Sequence, residues 1–301
     1  TIDGNAGDDT ITGGAGDDTI EGGAGDDIAI FAGNQSDYTF ESSADGLSIT
    51  ITDTVNNDVD TVMGIETLRF DDGDIGVSLD TNGLVLTGDT TGDDITIVGS
   101  VPVTVVGADG DDEFIGGSGN DIIEGNAGDD HIDGWSGDDV IDGGDGDDEI
   151  YGYDGDDTID AGAGDDRIYG EGGDDAINGG AGNDVVVFAG NHSDYTFTSS
   201  SDGRTVAVTD TNTGYVDTVT EVETLRFDDI DISVSQDGES SFRVETISGS
   251  HGSVTIDAAG AWTYTVDNDL AAVQSLGESE TLIDTVVVHT FDGTEQSLTI
   301  T

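Results

Sequence analysis

The chain has 301 residues and sets 68 Asp and Glu against 5 Arg and no Lys, a formal charge of −63. Such a surface cannot neutralise phosphates, so nucleic acid is excluded as a partner and anionic membranes are disfavoured. With no cysteine there are no disulfides or thiolate metal sites, and no apolar run approaches the length of a membrane span.

The counter-ion that fits so many carboxylates is a hard cation that prefers oxygen ligands. Acidic, Gly-rich chains poor in aromatics usually stay disordered. Here the 48 glycines and the acids recur at a fixed period with apolar residues between them, which marks a folded repeat.

Residues 4–30 hold three nonapeptides, GNAGDDTIT, GGAGDDTIE and GGAGDDIAI. Thr1-Ile2-Asp3 reads as the end of an earlier repeat, which predicts a longer parent protein. Nine more follow without a gap over residues 107–187: GADGDDEFI, GGSGNDIIE, GNAGDDHID, GWSGDDVID, GGDGDDEIY, GYDGDDTID, AGAGDDRIY, GEGGDDAIN and GGAGNDVVV. In all twelve the fourth position is Gly and the sixth is Asp: Asp9, Asp18, Asp27, Asp112, Asp121, Asp130, Asp139, Asp148, Asp157, Asp166, Asp175 and Asp184. Ahead of the second array, residues 89–97 (DTTGDDITI) are read in the same register, with Gly92 fourth and Asp94 sixth. Residues 98–106 keep neither, so that rung is expected to be a strand without a metal loop, and Pro102 suits a starting edge.

Each position has a physical reason. Glycine takes positive φ, so six residues can coil tightly and aim carbonyls at one point. The sixth-position aspartate supplies a carboxylate oxygen. The last three residues are extended and turn the eighth position inward, so stacked coils bury a column of apolar side chains. The fifth position is read as facing solvent and not as a ligand.

This pattern, GGxGxDxUx, resembles the calcium-binding repeat of RTX proteins. The resemblance implies a parallel β-roll with two nonapeptides per turn. It also implies calcium between loop n and loop n+2, held by sixth-position aspartates and main-chain carbonyls. The metal residues are then the twelve aspartates above and Asp94. Stacking predicts about seven ions in the long array, about one in the short array and one more at the loop from residue 89, hence about eight to ten Ca2+ in all.

Each array runs into a similar tail. FAGNQSDYTF (31–40) and VDTVMGIETLRFDD (59–72) recur as FAGNHSDYTF (188–197) and VDTVTEVETLRFDD (216–229), at a constant offset of 157 residues. Alternating apolar residues predict antiparallel strands, with Asp45-Gly46 and Asp202-Gly203 as hairpin turns. Each tail is expected to cap the open end of a roll. Glu66 with Arg69, and Glu223 with Arg226, are expected as structural ion pairs.

Ser235–Ser241 reads as a polar linker. Beyond it, Trp262, Tyr264, Val273, Leu276, Leu282, Asp284 and Asp292-Gly293 give a segment similar to the VCBS repeat, which implies an Ig-like β-sandwich of the kind found in large bacterial surface proteins. The expected architecture is therefore all-β: a roll at 1–30, a cap at 31–76, a second roll at 77–187, a second cap at 188–234 and an Ig-like domain at 242–301.

No HExxH or GxSxG motif is present, and the four His (His131, His192, His251, His289) are dispersed: His131 at the variable seventh position of its repeat, the others in expected β segments. No catalytic residue and no enzyme activity are expected. The reading is an extracellular calcium-binding structural module, secreted to the cell surface as part of an adhesion protein. Its partners are calcium and either itself or a surface ligand, with no membrane insertion. By the RTX resemblance, export runs unfolded through a one-step (type I) channel. A self-assembling surface-layer or filament subunit, and the non-catalytic secretion region of an RTX exoenzyme, are the alternatives.

Overall fold

A computed structural model describes residues 1–79, 83–200 and 204–234, and beyond them the backbone of five strands. The chain forms two compact units, Thr1–Val187 and Phe188–Thr301. It is all-β, with no α-helix among the described residues.

In the first unit the nine-residue period folds as a solenoid. Successive repeats alternate between two parallel walls, so strands two repeats apart pair. One wall runs through Asp94–Thr96, Glu113–Ile115, His131–Asp133, Glu149–Asp154, Arg167–Gly172 and Val185–Val187. The other runs through Val103–Val106, Ile122–Ala127, Val140–Asp145, Thr158–Ala163 and Ala176–Asn178. The register puts Ile132 beside Ile150 and Ile150 beside Ile168. The eighth position points inward throughout: Phe114, Ile123, Ile132, Ile141, Ile150, Ile159, Ile168, Ile177 and Val186 are all buried. Burial of each aliphatic side chain is worth roughly 1.5–3 kcal/mol.

The first tail carries both walls onward instead of only closing the short array. Val59–Met63 pairs parallel to Thr19–Glu21, and Thr67–Arg69 pairs parallel to Ile28–Ile30. Ahead of both in the chain, an antiparallel hairpin, Tyr38–Ser42 with Ile49–Asp53, pairs onto Val59–Met63 and extends the first wall, and Ser43 closes the predicted Asp45-Gly46 turn. On the second wall Asp74–Leu79 runs antiparallel to Thr67–Arg69 and to Leu84–Thr87, and Leu84–Thr87 pairs parallel to Val103–Val106. One reversed strand thus splices the two arrays into a single sheet. Val103–Val106 lies inside that sheet, so Pro102 stands just before an interior strand and does not mark an edge.

Four rings lock the first tail. Phe31 stacks on Phe70 at 5.5 Å, Tyr38 tilts against Phe70 at 5.1 Å, and Phe40 meets Phe70 edge-on at 6.1 Å. The Tyr38 hydroxyl donates to the Ala32 carbonyl at 2.6 Å. The second unit repeats this with Phe188, Tyr195, Phe197 and Phe227, and with Tyr195 donating to Ala189 at 2.6 Å. There Tyr195–Ser199, Thr205–Asp210 and Val216–Thr220 form a meander, and Thr224–Arg226 pairs with Asp231–Ser233. His192 falls in a 3-10 turn, not in a strand.

Further on, Glu245–Ser248, Gly252–Ile256 and Trp262–Val266 form an antiparallel sheet, and Asp284–His289 pairs with Glu295–Ile300. Trp262, Tyr264 and Asp284 lie on these strands. The Ser235–Ser241 linker, the Asp202-Gly203 turn, Val273, Leu276, Leu282 and Asp292-Gly293 lie outside the described residues.

Candidate metal centre

The loops between the strands hold the unusual chemistry. From Gly128 to Gly182 in the long array, the fourth-position glycine of each loop sits directly against its counterpart two repeats earlier. A methyl group on Gly146 would fall on the Gly128 carbonyl, and one on Gly155 on the Gly137 carbonyl. Both have φ near +150°, so only glycine fits.

The sixth-position aspartates are buried in two columns. Along one, the Asp112 N–H donates to Asp130 Oδ1 at 2.8 Å, Asp130 to Asp148 at 2.8 Å, Asp148 to Asp166 at 2.8 Å and Asp166 to Asp184 at 3.0 Å. Along the other, Asp121 donates to Asp139 at 2.7 Å, Asp139 to Asp157 at 2.8 Å and Asp157 to Asp175 at 2.9 Å. In the short array Asp9 donates to Asp27 at 2.8 Å. One carboxylate oxygen of each residue is thereby spent.

The other oxygen is not. Oδ2 of Asp9, Asp27, Asp112, Asp121, Asp130, Asp139, Asp148, Asp157 and Asp166 is buried without a hydrogen-bond partner. A buried polar atom left unpaired costs about 1–3 kcal/mol, and more when it is charged. These oxygens face backbone carbonyls: a methyl on Gly125 would collide with both Asp130 Oδ2 and the Gly143 carbonyl. Gly107, Gly116, Gly134, Gly143 and Gly152 show the same pairing of their own loop's Oδ2 with the carbonyl that opens the loop two repeats on.

Carboxylate and carbonyl oxygens therefore converge. Burial pushes Asp112, Asp139 and Asp148 up to about 7 and Asp121 and Asp157 up to about 6. It raises Asp130 and Asp166 in the same direction. Among the described residues no three acidic or histidine side chains converge on one point. The donor set is instead paired carboxylates and main-chain carbonyls, which suits a hard divalent cation.

Four positions depart from the sequence reading. Ahead of the long array the ladder runs one residue earlier: Asp94 pairs with Glu113, and it is Asp93 whose N–H donates to Asp112 Oδ1 at 2.8 Å. Residues 97–106 accommodate the shift with one extra residue. Asp93 also differs in kind, because both its oxygens are taken, one by Gln35 Nε2 at 2.8 Å and one by the Asp89 N–H at 2.8 Å. In the first tail Arg69 makes a two-pronged pair with Asp74, at 2.8 and 2.6 Å, and not with Glu66. Arg226 pairs likewise with Asp231, at 3.0 and 3.1 Å.

Three features escaped the sequence. Glu66 Oε2 accepts the Asp27 N–H at 2.8 Å, and Asp60 Oδ1 accepts the Asp18 N–H at 2.8 Å, so tail residues extend both ladders. Their separations are not multiples of nine, which hid them, although Asp60-Thr61-Val62 repeats the order of Asp18-Thr19-Ile20. The fifth-position carboxylates form an outer ladder running the opposite way: Asp111 accepts from Asp129, Asp129 from Asp147 and Asp147 from Asp165, at 2.8–3.0 Å. Of the histidines, His131 lies 3.6 Å from both the largely buried Asp133 and Glu149, and His192 lies 3.0 Å from Asp229 at the surface.

A solenoid of Gly-Asp loops with converging carboxylate and carbonyl oxygens defines a calcium-binding β-roll. Residues 1–29 and 106–186 match, in overlapping stretches, the family described as RTX calcium-binding nonapeptide repeat (4 copies). These two segments are RTX repeats. No curated protein matches the chain. Among solved structures, the extracellular lipase LipA from Serratia marcescens is similar at 19% identity and a TM-score of 0.20, over 72% of this chain and 35% of that one. This chain thus spans about a third of the lipase's length.

Proposed function

We propose that the chain is an extracellular structural module of a secreted bacterial surface or adhesion protein, folding and stiffening when calcium fills the two aspartate columns. The observation that carries this reading is the set of buried, unpartnered aspartate oxygens facing glycine carbonyls. Calcium neutralises them, and it is the group for which the loops leave room. Asp9, Asp27, Asp112, Asp121, Asp130, Asp139, Asp148, Asp157, Asp166, Asp175 and Asp184 hold it, with Asp18 beside Asp60 in the short array. Asp94 leaves the set, and Asp93, which stands in its place in the ladder, has both oxygens engaged by the protein.

Extracellular calcium sites bind at roughly 0.1–1 mM. A chain with this charge stays unfolded at low calcium through self-repulsion and folds when calcium is abundant. That difference suits export in the unfolded form. No helix among the described residues is long and apolar enough to cross a membrane. The spliced sheet makes unit one a continuous rod, and the VCBS-like end is assigned as the link to neighbouring domains. The module is non-catalytic.

Far-UV circular dichroism during a calcium titration of chelator-treated protein tests this, with magnesium as the control. A cooperative coil-to-β transition at sub-millimolar to millimolar calcium, absent with magnesium, is expected. A chain that keeps its β signal in chelator at pH 8 sinks the proposal. Electron microscopy of the calcium-loaded chain adds a second test: ordered polymers would make it a self-assembling subunit instead.

A further inference from the structure

We propose that the first tail completes one more cation site, of the calcium class, built by Asp27, Glu66 and the Gly64 carbonyl. This inference rests on reading the nonapeptide loops as calcium sites. The family match ends at residue 29, so Gly64 and Glu66 lie outside it.

The last loop of the short array has no nonapeptide after it on its own wall. The tail stands in that place. The Gly22 N–H donates to the Met63 carbonyl at 3.0 Å, and the Glu66 and Thr67 N–H groups both reach the Asp27 carbonyl at 3.1 Å. Gly64 therefore occupies the opening position of a loop. A methyl on Gly22 would fall on the Gly64 carbonyl and lie 2.6 Å from Asp27 Oδ2. Gly125 shows the same relation to Gly143 and Asp130 inside the long array.

Glu66 takes the sixth-position role. Its Oε2 accepts the Asp27 N–H at 2.8 Å, as Asp130 does for Asp112. The tail loop is cut short: Glu66 comes two positions after Gly64, where Asp27 comes five positions after Gly22. The longer glutamate side chain makes up the reach. Gly64 holds a left-handed φ of +56°, which sets the turn.

Asp27 is fully buried, its Oδ1 is spent on the Asp9 N–H, and its Oδ2 has no partner. That oxygen and the Gly64 carbonyl lie against the same point of Gly22, and the Glu66 carboxylate joins the loop through the Asp27 N–H. Calcium accepts six to eight oxygen ligands, and water completes the shell on the open Glu66 side.

Native mass spectrometry of the full chain in calcium counts bound ions as whole numbers. Glu66→Gln keeps an acceptor for the Asp27 N–H and removes the charge, so it should bind one ion fewer than wild type. Asp27→Asn touches the sites on both sides of loop 22–30 and should lose two. Glu21→Gln, an exposed carboxylate on the neighbouring strand, should lose none. Equal counts for Glu66→Gln and wild type overturn the proposal, leaving Glu66 as a hydrogen-bond acceptor only. If Glu66→Gln fails to fold, Asp27→Asn decides: a loss of one ion overturns the tail site, a loss of two supports it. A wild-type chain that binds no calcium defeats the calcium reading itself, an outcome distinct from either.

Discussion

The long array and the first tail stack strands into the same two walls, yet they satisfy their buried groups by different means. In the array the turns bury apolar side chains, mostly Ile, and carboxylates, Asp112, Asp121, Asp130, Asp139, Asp148, Asp157 and Asp166 among them, whose second oxygen has no hydrogen-bond partner. In the tail the filling is three aromatic rings around Phe70, and buried Gln35 is paired at both ends, donating to Asp93 and accepting from the Asp94 N–H at 3.0 Å. The array is therefore incomplete as protein alone, whereas the tail closes its own hydrogen bonds. Repetition explains the difference: a nine-residue unit has no room for both a core and a cation of its own, so an external ion takes the second role.

The comparison breaks first at the backbone. Gly146→Ala puts a methyl on the Gly128 carbonyl at φ +150°, a position no loop movement relieves without parting two rungs. A loss of about 4 kcal/mol or more is expected, and saturating calcium should not restore it. A thermal melt at fixed calcium reads it. An unchanged melting temperature would mean that the rungs are not in this close contact.

Two substitutions of similar size then separate the regions. Phe70→Ala removes the ring on which Phe31, Tyr38 and Phe40 converge and should cost about 3–5 kcal/mol at any calcium concentration. Asp148→Asn weakens the sites on both of its faces. At free calcium ten times the dissociation constant each site contributes about 1.4 kcal/mol, so the loss is about 3 kcal/mol, and it should vanish when calcium is withdrawn. Melts of both variants across a calcium series check this. If the two show the same calcium dependence, the distinction between array and tail fails.

Acidity acts on the array in opposite senses with and without calcium. An aspartate in the unfolded chain titrates near 3.9, whereas burial holds Asp112, Asp139 and Asp148 at about 7 in the folded metal-free chain. A folded pKa above the unfolded one means that the folded state binds more protons. Its contribution is full below about pH 4 and is lost as pH rises through about 7. In chelator, β-structure should therefore be greater at pH 5 than at pH 8. With calcium present protons compete for the same oxygens, so the calcium midpoint should rise at pH 5. Circular dichroism at the two pH values decides, and identical metal-free spectra would contradict the burial of these carboxylates.

The array was legible because one register repeats twelve times, and each position has a single physical job. The aspartate columns, the inward Ile and the glycine contacts follow from that alone. The splice was not legible. Nothing local announces that Asp74–Leu79 reverses direction, because its alternation of apolar and polar residues fits either sense of pairing. The register slip from Asp94 to Asp93 has a similar cause. GDD offers two adjacent aspartates, and only the pairing of Ile95 with Phe114 selects between them. The outer ladder escaped because an exposed carboxylate carries no mark of the N–H it will accept.

The smallest expected effect concerns the tail's two charged neighbours. Arg69 and Glu66 lie three residues apart, and as a sequence they read as partners. The strand turns Arg69 outward, where it and Asp74 are about two-fifths exposed at 2.6 Å. Solvent screens such a pair, and two long side chains lose freedom to hold it. Arg69→Ala should therefore leave the melting temperature and the calcium midpoint within experimental error, while Glu66→Gln, on the loop two residues beyond Gly64, shifts the calcium midpoint upward. A calcium-dependent loss in Arg69→Ala as large as that in Glu66→Gln would show that the two residues do act together, and that the carboxylate of Glu66 is held by arginine and not by the loop of Asp27.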